Sequence, residues 1–212
     1  MSTDVEKSFT ATLAYYNGKK SDGSSIFINI DFSFIAITYS QSPDEGVIES
    51  DLTSKPNGSI STPHIYLCAN TKADSSVELY FRYDSGRSVY RIWVRNGLYR
   101  GRLLANSNND YIYANINYGR PHLFWLYQQD ENGKWQKITI DQFSSSKPFR
   151  IQQADTGKNI GVSSGNRPIS GEPSSWWAYI TTGSDDAAGF VLNDVKTNVD
   201  YASTDVWGAG KA

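Results

Sequence analysis

Residues 88–140, SVYRIWVRNGLYRGRLLANSNNDYIYANINYGRPHLFWLYQQDENGKWQKITI, decide the fold class because short alternating segments lie between turn signals. β-Branched and aromatic residues occupy every second position of residues 90–94, which is the two-residue period of a half-buried strand. Asn96-Gly97 then supplies the positive φ angles of a tight turn. Residues 111–118 alternate again, and residues 130–133 join two further segments as a hairpin. The stretch predicts a meander of short strands with no helical period.

The rest of the chain has the same character. In residues 26–39 the isoleucine side chains occupy the even-numbered positions before Ser33 and the odd-numbered positions after it. This one-residue shift predicts a β-bulge near Ser33. Residues 41–63 and 163–175 are rich in Ser, Pro and Gly and predict long surface loops. Further strands are predicted at residues 8–16, 26–39, 65–69, 77–83, 98–104, 149–153, 159–163, 176–182 and 190–195. Many short strands with frequent turn signals predict an all-β protein.

Composition excludes several classes of function. The chain has 212 residues, enough for one large domain or two small ones, and a net charge of −2 with no basic run. We therefore expect no nucleic-acid partner. Cys68 is the single cysteine, so the fold does not depend on an intrachain disulfide. The polar N-terminal sequence MSTDVEKSFTATL has no apolar h-region, and no apolar window is long enough for a spanning helix. These features predict a cytoplasmic protein, or one released without a Sec signal peptide.

The sequence contains no convincing catalytic or metal-binding motif. Residues 161–165 match G-x-S-x-G by letter, but a Pro/Gly/Ser segment follows them where a helix is required. Both histidines, His64 and His122, lie upstream of that segment, whereas the triad needs its histidine downstream. The two histidines and Cys68 lack the spacing of a zinc site. We predict a protein that is not an enzyme and uses no metal or cofactor, with a hydrolase as the alternative left open.

The excess of tyrosine and tryptophan, 14 and 6 residues, is the most informative feature of the composition. These rings combine a flat apolar face with a polar group, which suits stacking on the C–H face of a sugar. Residues 106–118 and 163–177 mix such rings with Asn and other polar side chains. Trp176 and Trp177 are adjacent, so a strand directs them to opposite faces. At least one of them requires a second packed layer or an exposed ligand platform.

An internal repeat is visible in the second half of the chain. Tyr90-Arg91-Ile92 and Phe149-Arg150-Ile151 are each followed by two glycines that are four residues apart, and later by the Trp-containing segments 124–127 and 176–179. Two units of about 50 residues result, each strand–turn–strand–loop–strand–turn–strand. A third unit within residues 26–83 does not align.

Residues 149–195, with the segment FRIQQADTGKNIGV and a later Trp strand, resemble a repeat of the ricin-B-like β-trefoil lectins. The resemblance implies a trefoil-like region at residues 88–212, preceded at residues 1–87 by additional β-strands or a small β-sandwich, with one continuous domain left open. It also implies binding to glycans or glycoconjugates. In this chain Trp176-Trp177-Ala178-Tyr179 stands where the family has its Gln-x-Trp signature.

The favoured function is therefore a lectin-like carbohydrate-binding protein that stacks sugars on aromatic rings and binds their hydroxyls through Asn and Asp. The predicted ligand-binding residues are Asn96, Tyr99 and Trp125 in the central unit, and Asp155, Asn159, Trp176, Trp177 and Tyr179 in the C-terminal unit.

An alternative comes from residues 61–84, STPHIYLCANTKADSSVELYFRYD, which resemble the actinoporin and aegerolysin-like proteins. That resemblance implies binding to membrane lipids. The alternative function is a β-rich membrane-interacting or pore-forming toxin, which would act at a membrane surface and rearrange residues 26–39 as it oligomerises. Association into a homo-oligomer is left open.

Overall fold

A computed structural model describes residues 4–40, 55–70, 73, 76–115, 122–169, 172–182 and 189–200. Within these ranges only the backbone is described for residues 34–40, 55–63, 164–169 and 172–177.

The described chain is built from antiparallel strands, and the predicted all-β fold class is confirmed. Its helical structure, within these ranges, is a single 3-10 turn at Ile140–Gln142, and no helix there is long and apolar enough to span a bilayer. The strands are β1 (Phe9–Lys19), β2 (Ser25–Ser40), β3 (Lys55–Ala69), β4 (Glu78–Asp84), β5 (Val89–Val94), β6 (Leu103–Asn106), β7 (Ile112–Asn115), β8 (Phe124–Gln129), β9 (Trp135–Ile138), β10 (Phe149–Gln153), β11 (Ile160–Ile169), β12 (Glu172–Thr182) and β13 (Gly189–Thr197).

Strand pairing closes a ring. Strand β1 pairs with β4, β4 with β5, β5 with β8, β8 with β10, β10 with β13, and β13 with β1. Between these ring strands the chain forms the hairpins β2–β3, β6–β7 and β11–β12. The described strands therefore form three consecutive units, each a ring strand, a hairpin and a second ring strand. Strand β9 is an addition that pairs with β8 outside the ring.

The N-terminal strands belong to the same sheet as the rest of the chain. Phe9 of β1 lies opposite Phe81 of β4, and β4 continues into β5 through the turn at residues 85–88. The domain boundary predicted between residues 87 and 88 falls within this turn. Residues on both sides of it contribute to one hydrophobic core.

Each ring strand contributes one fully buried aromatic ring to that core. The pair Phe9 and Phe81 is stacked, with ring centroids 4.5 Å apart and an interplanar angle of 5°. Offset aromatic pairs add roughly 0.5–1.5 kcal/mol to the free energy of burial. The six rings, taken in chain order, are those of Phe9, Phe81, Tyr90, Phe124, Phe149 and Phe190.

Side chains from the ring strands and the hairpins together line one small interior cavity. This cavity has a volume of only about 20 Å³. The hairpin residues that line it are Leu67, Leu104, Ile112, Ile160 and Ile180. A cavity of this size and apolar lining holds at most one water molecule and does not admit a ligand. The larger clefts among the described residues lie at the surface.

Three sequence-based predictions on local structure are wrong. Residues 55–63, predicted as loop, are strand and pair with residues 33–40 of β2. Residues 163–175, also predicted as loop, largely form the β11–β12 hairpin. Their Ser, Gly and Pro content has low β-propensity, but pairing with neighbouring strands outweighs intrinsic preference. Residues 98–102, predicted as strand, form a turn before β6, whereas the bulge predicted near Ser33 is confirmed by a register shift. Residues 41–54 lie outside the described ranges.

One hydrogen bond ties the ring to the segment between β9 and β10. The phenol oxygen of Tyr90 accepts a hydrogen bond from the backbone N–H of Ile140 at 3.1 Å, and both groups are buried. We expect Tyr90→Phe to lower the free energy of unfolding by about 1–3 kcal/mol, because the N–H group is left buried without an acceptor. Urea unfolding monitored by fluorescence measures this change, and a variant as stable as the parent would contradict the assignment.

Candidate functional site

The outer face of β8, β9 and β10 carries a group of aromatic and polar side chains. Phe124 and Leu126 of β8 face the core, so the alternation of the strand directs Trp125 and Tyr127 outward. In the register of the sheet, Tyr127 lies between Lys137 on β9 and Arg150 on β10. The same alternation in β10 buries Phe149 and Ile151 and exposes part of Arg150 and Gln152.

Two cations lie on the faces of the two indole rings. The guanidinium carbon of Arg150 is 3.8 Å from the centroid of Trp135, and the Lys137 ammonium is 4.6 Å from the centroid of Trp125. Such cation–π contacts stabilise by roughly 0.5–1 kcal/mol at exposed sites. Together they fix the orientation of long side chains that would otherwise be mobile.

A tight turn places Trp135 beside β8. The carboxylate of Asp130 accepts hydrogen bonds from the backbone N–H groups of Asn132 and Lys134, both at 2.9 Å. Gly133 adopts φ +78°, which a side chain would strain. These hydrogen bonds lower the pKa of Asp130, so its carboxylate stays ionised and committed to the turn.

A cleft of about 270 Å³ is lined by five half-buried side chains, those of Tyr127, Trp135, Arg150, Gln152 and Asn159. We call it the Trp135 cleft. The amide of Gln152 donates a hydrogen bond to Asn159 Oδ1 at 3.3 Å, leaving the Gln152 carbonyl oxygen and the Asn159 amino group for a ligand. A second cleft of about 560 Å³ shares Trp135 and Arg150 and extends to Tyr16, Lys147 and Pro148, among others.

The equivalent face of β4 and β5 has similar residues but is covered by the chain. Tyr80 lies opposite Trp93, and Arg82 opposite Arg91, in the register of these strands. Yet Tyr80 and Trp93 are only 1% and 4% exposed, because Leu103 and the segment around Val199 pack on them. Of these two outer faces, the one that carries the Trp135 cleft is not covered in this way by the described residues. The Trp135 cleft is therefore the better candidate for ligand binding.

Two of the residues predicted from sequence lie at or beside this cleft. Asn159 lines it, and Trp125 lies opposite Gln152 in the register of β8 and β10. Two others are engaged elsewhere in the fold. The side-chain carbonyl of Asn96 accepts a hydrogen bond from the Glu78 backbone N–H at 3.0 Å, and Tyr99 packs edge-on against Phe32 with centroids 5.1 Å apart.

Asp155 and Tyr179 are not among the described residues that line the cleft. Asp155 is exposed in the turn after β10. Tyr179 belongs to a second aromatic group on the hairpins, where its ring centroid is 4.8 Å from that of Tyr111 and 5.7 Å from those of Tyr66 and His64. Trp176 and Trp177 lie in β12, paired with β11, and their side chains are outside the described part of the structure.

Sequence reasoning missed Tyr127, Trp135, Arg150 and Gln152. The alternation in FWLYQQ and FRIQQ would have placed Tyr127, Arg150 and Gln152 on outward faces. The hairpin predicted at residues 130–133 places β9 beside β8, as the structure shows. No local pattern indicates that β10 pairs with the other edge of β8, and this pairing brings Arg150 to Trp135.

The groups that this site presents are ones that can contact a ligand. Stacking surfaces, amides and cations are present, and within the described ranges no three His, Cys, Asp or Glu side chains come together in a group that could hold a metal ion. Comparison with protein-family models, with curated proteins and with solved structures finds no match. The interpretation of the site therefore rests on its own geometry.

A histidine beside this sheet predicts a dependence of stability on pH. Thr156 Oγ1 donates a hydrogen bond to Gln153 Oε1 at 3.0 Å, which leaves the Gln153 amino group to donate to His122 Nδ1 at 2.8 Å. Burial lowers the pKa of His122 below its usual 6.5, and the nearby Asp155 carboxylate opposes this shift. Protonation of Nδ1 would also place two donors face to face.

Because the unfolded chain binds this proton more readily, the contribution of His122 is complete above about pH 6.5 and is lost as the pH falls below it. We expect the free energy of unfolding to decrease between about pH 7.5 and 5.5, and to decrease less in His122→Asn, which does not titrate. Burial also lowers the pKa of His64, so a residual slope is expected. Equal slopes for parent and variant in urea titrations would contradict the assignment.

Proposed function

We propose that this protein is a non-enzymatic, lectin-like carbohydrate-binding protein whose ligand occupies the Trp135 cleft. The observation that carries the proposal is the convergence of two aromatic rings, two amides and a guanidinium on one half-buried cleft. Sugar rings present apolar C–H faces and polar edges, and this combination of groups complements both.

The proposed roles follow from the chemistry of each side chain. Tyr127 and the part of the Trp135 ring that Arg150 does not cover supply the apolar surface that a pyranose ring contacts. Gln152 and Asn159 fix each other through their hydrogen bond and present one acceptor and one donor to hydroxyl groups. Trp125 and Lys137, next to the cleft, widen the surface for a second sugar unit.

We further propose that the three strand–hairpin–strand units constitute a β-trefoil that includes the N-terminal unit as well as residues 88–212. The closed ring and the three hairpins support this arrangement. The proposal connects the fold with the resemblance to ricin-B-like lectins, while the favoured cleft lies between the second and third units.

A glycan array screened with the purified, labelled protein tests the function. We expect binding to a defined group of glycans that the corresponding free sugar abolishes in competition. Folded protein that binds no glycan, or whose binding free sugar does not displace, would contradict the proposal.

The membrane-active alternative depends on a different part of the chain. The β2–β3 hairpin has strands of 16 and 15 residues, and its pairing reaches Ser40 and Lys55, well beyond the pairing of β2 with β1. Phe27 on this hairpin is 51% exposed. Release of a trapped dye from phosphatidylcholine vesicles would favour this alternative, and intact vesicles would count against it.

A further inference from the structure

The cations around the Trp135 cleft have no acidic partner among the residues that the structure describes. In those ranges, no carboxylate lies within 4.0 Å of the charged group of Arg150, Lys137 or Lys147. Arg150 stacks on Trp135, Lys137 covers Trp125, and the Lys147 ammonium donates to the backbone oxygen of Gln129 at 3.4 Å. Two positive charges thus lie on the two indole rings, and a third, that of Lys147, lines the larger cleft together with Trp135.

Two acidic side chains, Asp130 and Glu131, line the larger cleft but not the Trp135 cleft. Asp130 uses its carboxylate within the β8–β9 turn, where it also accepts from Gln136 Nε2 at 3.3 Å. Glu131 lies exposed at the tip of that turn, on the side of the larger cleft. The described lining of the Trp135 cleft itself contains a guanidinium and no carboxylate. Its local field therefore favours an anion.

We infer that the ligand of the Trp135 cleft is an acidic glycan, whose carboxylate or sulfate group is bound by Arg150 while a sugar ring contacts Trp135. This inference rests on the proposed function and specifies its ligand class. A guanidinium stacked on an aromatic face keeps the N–H groups at its edge, which match the two oxygens of a carboxylate or sulfate.

The setting strengthens such a contact. Arg150 is half-buried in the cleft, where an ion pair is screened less than on an open surface. Stacking on Trp135 restricts the side chain before the ligand arrives, so less conformational entropy is lost on binding. Burial also lowers the pKa of Lys137, and a bound anion nearby would compensate for that desolvation.

The test uses pairs of glycans that share one backbone and differ only in charge. Sialylated glycans and uronic-acid oligosaccharides are compared with their methyl esters, and sulfated glycans with their desulfated forms. We expect the parent protein to prefer the acidic member by about tenfold or more, and this preference to decrease as NaCl is raised. Comparison of the carboxylate pairs with the sulfate pairs shows which of the two acidic groups the protein binds.

Variants of Arg150 test whether this side chain causes the preference for acidic glycans. Arg150→Gln should remove the preference for the acidic member, and Arg150→Lys should retain part of it, because the charge remains but the planar fork is lost. Arg87→Gln removes a charge from the exposed turn between β4 and β5 and should change nothing. Thermal unfolding confirms that each variant is folded.

The outcomes separate this inference from the proposed function. Binding of neutral and acidic members alike, lost in Trp135→Ala and retained in Arg150→Gln, would overturn the acidic ligand and leave carbohydrate binding intact. An acidic preference retained in Arg150→Gln would overturn the role of Arg150. Absence of binding to every glycan would overturn both proposals.

Discussion

Phe81→Ala should lower the free energy of unfolding by about 3–5 kcal/mol, the usual cost of removing a fully buried phenylalanine ring. Phe81 is 0% exposed and stacks on Phe9, also 0% exposed, across the β1–β4 pair. It also makes an edge contact with Tyr90 on β5, with centroids 6.4 Å apart. The substitution therefore leaves a cavity where the first and second units of the ring meet.

Urea unfolding followed by both circular dichroism and tryptophan fluorescence measures this effect. Leu98→Ala is the matched control, because Leu98 is 75% exposed and its removal should change stability by less than about 0.5 kcal/mol. The two probes should report one coincident transition, since a shared core unfolds as a unit. Two separate transitions, with only one shifted by Phe81→Ala, would contradict a single core.

Trp135→Ala should weaken binding of the best glycan by about thirtyfold or more, which corresponds to roughly 2 kcal/mol for the loss of a central aromatic anchor. The ring lines both clefts and supports the Arg150 guanidinium, so its removal affects stacking and orientation together. Isothermal titration calorimetry with the purified glycan gives the affinities.

Phe27→Ala is the matched control for that experiment. It also removes an exposed aromatic ring from the sheet, but its ring packs against Tyr16 rather than in the Trp135 cleft. We expect its affinity to match that of the parent. Equal losses in both variants would indicate a general effect on the fold, and an unchanged affinity in Trp135→Ala would place the ligand elsewhere.

The inward faces of the strands could be predicted from the sequence. Alternation alone assigned Tyr90, Ile92 and Val94 to one face, and all three are buried in the core. The same alternation holds for Ile112 and Ala114. A buried face leaves a two-residue period in the sequence, because every second side chain must be apolar.

Long-range pairing could not be predicted in the same way. The ring closes where Tyr90 of β5 meets Phe124 of β8, and no local pattern encodes that contact. The composition of residues 55–63 and 163–175 favours turns and predicts loops, whereas their backbones pair with neighbouring strands of the sheet. The Arg150–Trp135 contact likewise depends on which strands flank β8.

The most direct test of the central claim, that a glycan binds in the Trp135 cleft, follows the indole N–H signals of the 6 tryptophans by NMR during a titration. Trp→Phe substitutions assign the signals. We predict that the signal of Trp135 shifts most and that of Trp125 also shifts, whereas buried Trp93, on the covered face of β5, does not respond. Saturable binding that leaves Trp135 unchanged and shifts other indoles instead would contradict the account.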